Sequence, residues 1–291
     1  MLNMYDVFCY GAISLDISGK LEDSRQGGKQ VVATDYRLSP GGDATLVAIM
    51  LAGLGLKVAL GGGPVGDDPI GQYLFDMLKK LDVTVLAPSF GKTTVASILI
   101  GDTEQRSVVT YQEDTEESEI PVQEDVAGHA RYVYVDGVYA RNSAIVGSAA
   151  RARNVPSLLN FDMRSITNLS IFDTVIASED SARLFSDDPK NAAEQIYGLD
   201  NSLAIVTLGE KGCIYCDGAI RQVPAFQVNA VDTTGAGAAF AAGFIYASMK
   251  GKNIDECLLF ASAAGAYKAM ARGSYRLFTE QMIEEFIQSH R

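Results

Sequence analysis

The chain has 291 residues, 47% hydrophobic and 21% charged, with four cysteines and two histidines. These proportions describe a globular protein with a sizeable core and exclude disordered, collagen-like and disulfide-scaffold classes. Its 24 basic and 36 acidic side chains give a formal charge of −12, which excludes general attraction to nucleic acid or anionic membrane, so any anionic ligand must meet a locally built site.

The first ten residues lack the basic start and apolar run of a signal peptide, and no stretch reaches the about 18 apolar residues of a membrane span, so a cytoplasmic protein is expected. Tyr5–Gly11 reads as a first strand. A helix is expected over Asp43–Leu54, punctuated by Gly53 and Gly55, and a short strand over Lys57–Leu60. Ile70, Leu74, Met77, Leu78 and Leu81 follow helical spacing. Tyr132–Val135, Ser157–Phe161, Thr174–Ala177 and Leu203–Thr207 read as buried strands, with helices at Ala144–Arg153 and Asn191–Tyr197 between them. The last third is mainly helical. This alternation predicts an α/β fold with a mainly parallel sheet. Two stretches interrupt it, about residues 13–38 and Thr93–Tyr111 around the turn Gly101–Glu104; they read as antiparallel strands and hairpins, either a lid or dimer surface or a plain decoration.

Cys213 and Cys216 have C-x-x-C spacing, but on a strand residues three apart point to opposite faces, and a metal needs more soft ligands than this chain supplies. Only His129 lies away from the C-terminus, which argues against a Ser-His-Asp triad. The most informative segment is Val231-Asp232-Thr233-Thr234-Gly235-Ala236-Gly237-Ala238-Ala239-Phe240. Small residues opening a helix leave its first N–H groups unobstructed, and the helix dipole adds positive potential, so Gly235, Ala236 and Gly237 can form an anion hole for a phosphoryl group in transfer. The competing reading is a tight turn that merely permits close helix packing. Thr207-Leu208-Gly209-Glu210-Lys211-Gly212 follows a strand and suits a nucleotide phosphate or ribose, or is a simple turn.

Two glycine-rich segments are decoys. Gly61–Gly66 fits G-x-G-x-x-G, yet Asp67-Asp68-Pro69 separate it from helical periodicity; Gly91-Lys92-Thr93 resembles a Walker A ending without its first glycine or its helix. Gly11 through Asp16 ends the first strand and Gly41-Gly42-Asp43 opens a helix, so Asp16 and Asp43 can hold sugar hydroxyls, or cap a turn and a helix respectively.

Taken in order, Gly11…Asp16, Gly41-Gly42, Val65-Gly66-Asp67-Asp68 with Gly71, Thr207-Leu208-Gly209 with Gly212, and Asp232–Gly237 resemble the ribokinase-like carbohydrate kinases, the PfkB family, over nearly the whole chain. The resemblance implies one domain over 1–291 with a central mainly parallel sheet, a β lid formed by about 13–38 and 93–111, and possible pairing into a homodimer through that lid. It implies ATP and Mg2+, with a monovalent cation as a further candidate. It places Asp16, Gly41, Gly42 and Asp43 on the acceptor side and Thr207, Gly209, Gly212 and Asp232 on the nucleotide side. Lys29 and Arg164, with Arg106 and Arg141, are candidates for holding an already anionic acceptor, a layout somewhat similar to the sulfofructose kinase branch.

One departure concerns the chemistry itself. The family pattern continues D-T-T-G-A-G-D, its last aspartate being the general base, and this chain has Ala238 there. Loss of a positioned base costs ~10²–10⁴-fold in rate while leaving the anion hole in place. Ala238 fits a replacement that holds substrate without turnover, or a degenerate kinase that binds and hardly reacts; a sugar kinase, a non-catalytic binding protein and a nucleoside kinase all stay open. The family's N-x-x-E stretch, which assists magnesium, reads Ser178-Glu179-Asp180-Ser181, leaving Glu179 or Asp180 as outer-shell candidates, and the nucleotide-side Met270–Ser274 segment is also altered.

Overall fold

The computed structural model describes residues 4–21, 32–100, 106–162 and 168–290. Lys29, Arg164 and the turn Gly101–Glu104 lie outside the described residues. In chain order the elements are β1 (Val7–Gly11), β2 (Ser14–Leu21), β3 (Ala33–Gly41), α1 (Asp43–Gly53), β4 (Val58–Gly62), α2 (Pro69–Lys80), β5 (Val83–Val85), β6 (Val95–Ile100) and β7 (Arg106–Tyr111). There follow α3 (Glu124–Ala127), β8 (Tyr132–Val135), α4 (Ala140–Ala152), β9 (Ser157–Phe161), β10 (Thr174–Ser178), α5 (Glu179–Ala182), α6 (Pro189–Tyr197) and β11 (Leu203–Thr207). The chain closes with β12 (Cys213–Cys216), β13 (Ile220–Val223), α7 (Ala236–Met249), α8 (Ile254–Ala269) and α9 (Glu280–Ser289).

The large sheet runs β13-β12-β11-β10-β9-β8-β1-β4-β5, parallel from β11 to β5, with β12 and β13 added antiparallel at one edge. Helical crossovers cover both faces, so the inner strands are buried on both sides and read as continuous apolar runs. Val7 and Cys9 of β1 enter a core shared with α1, α2, α7, α8 and α9, while Phe8 and Tyr10 enter the opposite core with α4 and α6. Cys213 and Cys216 likewise divide between the two cores, and burial pushes the Cys213 thiol up to about 12. They form neither a redox pair nor a metal site. Among the described residues no helix is long and apolar enough to cross a membrane.

Several expected boundaries shift: the first strand begins at Val7 rather than Tyr5, α1 ends at Gly53 rather than Leu54, and α6 begins at Pro189 rather than Asn191. The helix expected from Ala144 starts at Ala140, because it begins after Tyr139 with no side-chain cap to mark it. The strand expected at Lys57–Leu60 is Val58–Gly62, and that at Thr174–Ala177 runs on to Ser178. The two interrupting stretches build one smaller sheet, in the order β3-β2-β6-β7. Its β2–β3 and β6–β7 pairs are antiparallel as expected, but β2 and β6 pair in parallel, so it is more than a pair of hairpins.

Asp68 ties this smaller sheet to the body. It caps α2 by accepting from the Gly71 amide at 2.7 Å, and it accepts from the Thr93 amide at 2.8 Å and the Thr93 hydroxyl at 2.9 Å, two residues before β6. Thr93 Oγ1 in turn accepts from the Gly66 amide at 3.1 Å. The Val65–Asp68 motif is therefore a structural clasp. Although burial pushes the Asp68 pKa up, the bonds from Thr93 and Gly71 prevail and hold it below the usual carboxylate value. The stability this carboxylate contributes is thus present at neutral pH and lost as pH falls through its depressed pKa. Asp68→Ala should cost about 1–2 kcal/mol at neutral pH, read as a lower urea midpoint, and should remove that part of the acid sensitivity.

Candidate active site

The carboxyl ends of β1, β8 and β9 converge on the start of α1. Asp16, on β2, is buried and accepts from the Ser14 hydroxyl at 2.9 Å. Burial raises its pKa, the Ser14 bond opposes this, and the nearby Asp43 adds to the rise. Gly41 lies so close that a Cβ there would overlap the Asp16 carboxylate. Gly42, at φ +91, is the N-cap of α1. Asp43 is therefore the first helical residue and not the cap that its position in the sequence also allowed. Its carboxylate accepts from Asn160 Nδ2 at 3.1 Å, across from β9.

A third carboxylate, Asp136, was not singled out by the sequence. It follows β8, is 2% exposed, and accepts three backbone amides: Ala12 at 2.7 Å, Ala44 at 3.2 Å and Val138 at 3.0 Å. It fastens the end of β1, the start of α1 and its own turn to one another. Gly11 is required beside it, because a Cβ would overlap the carboxyl group. Burial pushes the Asp136 pKa up to about 6 against the pull of these amides, with Asp43 adding repulsion. An acid placed directly after an apolar strand was the available signal, the same one that pointed to Asp16.

On the other side α7 begins at Ala236 after Gly235, which sits in the left-handed region at φ +74, and no side chain caps the helix. A Cβ on Gly235 would overlap the Ser274 carbonyl, whereas at Gly237 it would meet nothing within 4 Å. The helix start thus has open space beside Gly237, as the anion-hole reading requires, whereas the Ala236 amide already donates to the Thr233 carbonyl at 3.1 Å. Asp232 sets the turn that leads in: it accepts from the Thr234 amide and the Gly273 amide, each at 2.9 Å. Although burial pushes its pKa up, bonds from Thr234 and Gly273 and the Lys268 charge hold it below the usual carboxylate value. Asp232 is thus a structural acid behind the hole. Ala238 is the third residue of α7, 2% exposed and part of the core.

The two sides meet. Leu46, one turn into α1, lies 3.4 Å from where a Gly235 Cβ would be, and the Ser274 hydroxyl contacts Ser39 Oγ at 3.2 Å and the Pro40 carbonyl at 3.3 Å. Thr207 ends β11 in register with Ser178 at the end of β10, and its hydroxyl lies 3.4 Å from the Ala177 carbonyl. Gly209, at φ +58, faces open space, while Gly212, at φ +92, packs against the Val223 carbonyl and so serves the turn itself. Ser178 caps α5, Glu179 follows it as the first residue of that helix, and Asp180 pairs with Arg183 at 3.2 Å. Among the described residues there is no group of three or more His, Cys, Asp or Glu placed to hold a metal ion. At the start of α4 the Arg141 amide donates to Glu117 at 2.9 Å and its guanidinium donates to Asn142 Oδ1 at 3.5 Å.

Residues 4–280 match the family model for pfkB family carbohydrate kinases. An ATP-dependent ribose-1-phosphate kinase of Halopiger xanaduensis is 27% identical over 297 residues, covering 98% of each chain. Fructokinase-2 of Oryza sativa subsp. japonica is 27% identical over 272 residues, covering 81% of each. The crystal structure of a ribokinase from Thermotoga maritima shares the fold, with a TM-score of 0.84 over 98% of this chain and 100% of that one at 22% identity.

Because the folded-state pKa of Asp136 lies near 6, above the 3.8 of an unfolded chain, folding takes up a proton between these values. The stability it confers is complete below about pH 4 and is lost as pH rises through about 6, a change on the order of 3 kcal/mol. Urea midpoints across this window should fall with rising pH in the native chain, and Asp136→Asn should flatten that slope.

Proposed function

The chain belongs to the PfkB family of carbohydrate kinases, and we propose that it binds ATP and an uncharged polyol in one cleft and is built to transfer a phosphoryl group to a hydroxyl of that polyol. The observation that carries this reading is the uncapped start of α7, open to free space at Gly237 and in contact with α1, whose first residue is Asp43. When bound, MgATP supplies the phosphoryl group and neutralises part of its charge. The chain's own part is positional: the amides of Gly235 and Gly237 stabilise the equatorial oxygens, with Ala236 holding the turn through its bond to Thr233, and Asp16 and Asp43 accept hydrogen bonds from acceptor hydroxyls. Thr207 and the open backbone at Gly209 suit the nucleotide, with Glu179 as an outer-shell partner of Mg2+.

Mutual repulsion among Asp16, Asp43 and Asp136 favours a neutral polyol over an acceptor that already carries phosphate or sulfonate. The smaller sheet, next to Asp16 and Gly41, is read as the lid. Tyr36, Leu38, Val108, Val109 and Tyr111 are exposed on its β3 and β7 strands, which supports pairing of two copies through that sheet in a cytoplasmic protein.

Ala238 favours a second reading, a sugar- and nucleotide-binding protein without turnover, because alanine cannot take the proton from the acceptor hydroxyl. Ala238→Asp separates the two. In the first turn of a helix an aspartate is favoured by the dipole, and a kinase lacking only its base should gain at least about a hundredfold in ADP release with a bound sugar. A variant that binds MgATP and sugar yet stays inert would support the binding protein instead.

A further inference from the structure

Lys268, in the last turn of α8, has no exposed surface. Taking an ammonium out of water is costly unless oxygens replace its hydration. Here they come from the backbone: Nζ donates to the Asp232 carbonyl at 2.8 Å and to the Ala271 carbonyl at 3.4 Å, and its charge also acts on the Asp232 carboxylate. These carbonyls belong to the two segments that flank the anion hole, residues 231–234 before α7 and 269–274 after α8. The same segments are knitted by the Val231 and Asp232 amides on the Ala269 carbonyl, at 2.8 and 3.1 Å, and by the Gly273 amide on the Asp232 carboxylate. One positive charge therefore sits where carbonyl oxygens of both segments converge, directly behind the turn that delivers Gly235.

That is the arrangement by which a bound alkali cation would organise two loops, and the oxygens it would use are already taken. The residues present do not fit the monovalent cation that the family resemblance offered as a candidate cofactor. We propose that Lys268 is a resident cation: a positioning residue whose ammonium fixes the anion hole from behind and makes the hole independent of added potassium. The inference deepens the kinase reading and rests on it only for the nucleotide arm of its test.

Melting temperature and MgADP affinity would be measured for the native chain and for Lys268→Met in choline, potassium and ammonium chloride at one ionic strength. Native MgADP affinity should be the same in all three salts. Lys268→Met should lose at least about tenfold in choline chloride and regain part of it, with a higher melting temperature, in potassium or ammonium chloride. A native affinity that differs more than about threefold between choline and potassium overturns the proposal, as does a variant with native affinity in choline, or a loss that neither cation reverses. If Lys268→Met does not fold, Lys268→Gln takes its place and the native arm decides independently. Failure of the kinase reading looks different: the native chain then shows no MgADP binding in any salt, and the melting temperatures alone test Lys268.

Discussion

An open helix N-terminus can stabilise a transferred phosphoryl group only if the chain entering it is already fixed, since reorganisation at the moment of reaction would consume what the amides offer. In this protein the fixing is done from behind. Asp232 accepts the Thr234 and Gly273 amides, Lys268 gathers the Asp232 and Ala271 carbonyls, and Gly235 packs against the Ser274 carbonyl where no side chain could fit. The first turn of α7 is left without a capping side chain because its supports lie on the other side of the loop. Ser274 then links this loop to Ser39 and Pro40 at the end of β3, which joins the segment after α8 to the Gly41–Asp43 corner.

The electrostatics of the cleft are divided in the same way. Asp16 and Asp136 are buried carboxylates with raised pKa values, and Asp43 adds to both. On the α7 side, amides and a buried ammonium provide positive potential within a chain whose formal charge is −12. A neutral hydroxylated acceptor suits the first half and a phosphate the second. Ala238 lies inside the first turn of α7 and within the core, where the family resemblance would put an aspartate.

The fold was largely legible because parallel strands buried on both faces leave continuous apolar runs, as at Tyr132–Val135 and Leu203–Thr207. The Gly41-Gly42 and Gly235 corners were legible because only glycine tolerates their close approaches. What escaped was set by tertiary context. Asp136 is one acid among many until β1 and α1 bring three amides to it. Asn160 is an unremarked polar residue in an apolar strand until Asp43 faces it. Lys268 reads as an ordinary basic residue of a last helical turn, and becomes a buried ammonium only because α8 packs along α7. The bonds of Asp68 to Gly71 and Thr93, and of Asp232 to the Thr234 and Gly273 amides, likewise join segments far apart in the chain or a turn that the motifs alone do not define.

The most direct measurement is amide hydrogen exchange across the chain with and without MgADP. If the start of α7 is the phosphate site, MgADP should slow exchange at residues 235–239 and in the 207–212 turn, while the amides bonded to Asp136 stay unchanged. Binding that leaves 235–239 unaltered, or protection confined to the Asp16–Asp43–Asp136 corner, would contradict the assignment of the anion hole to this helix.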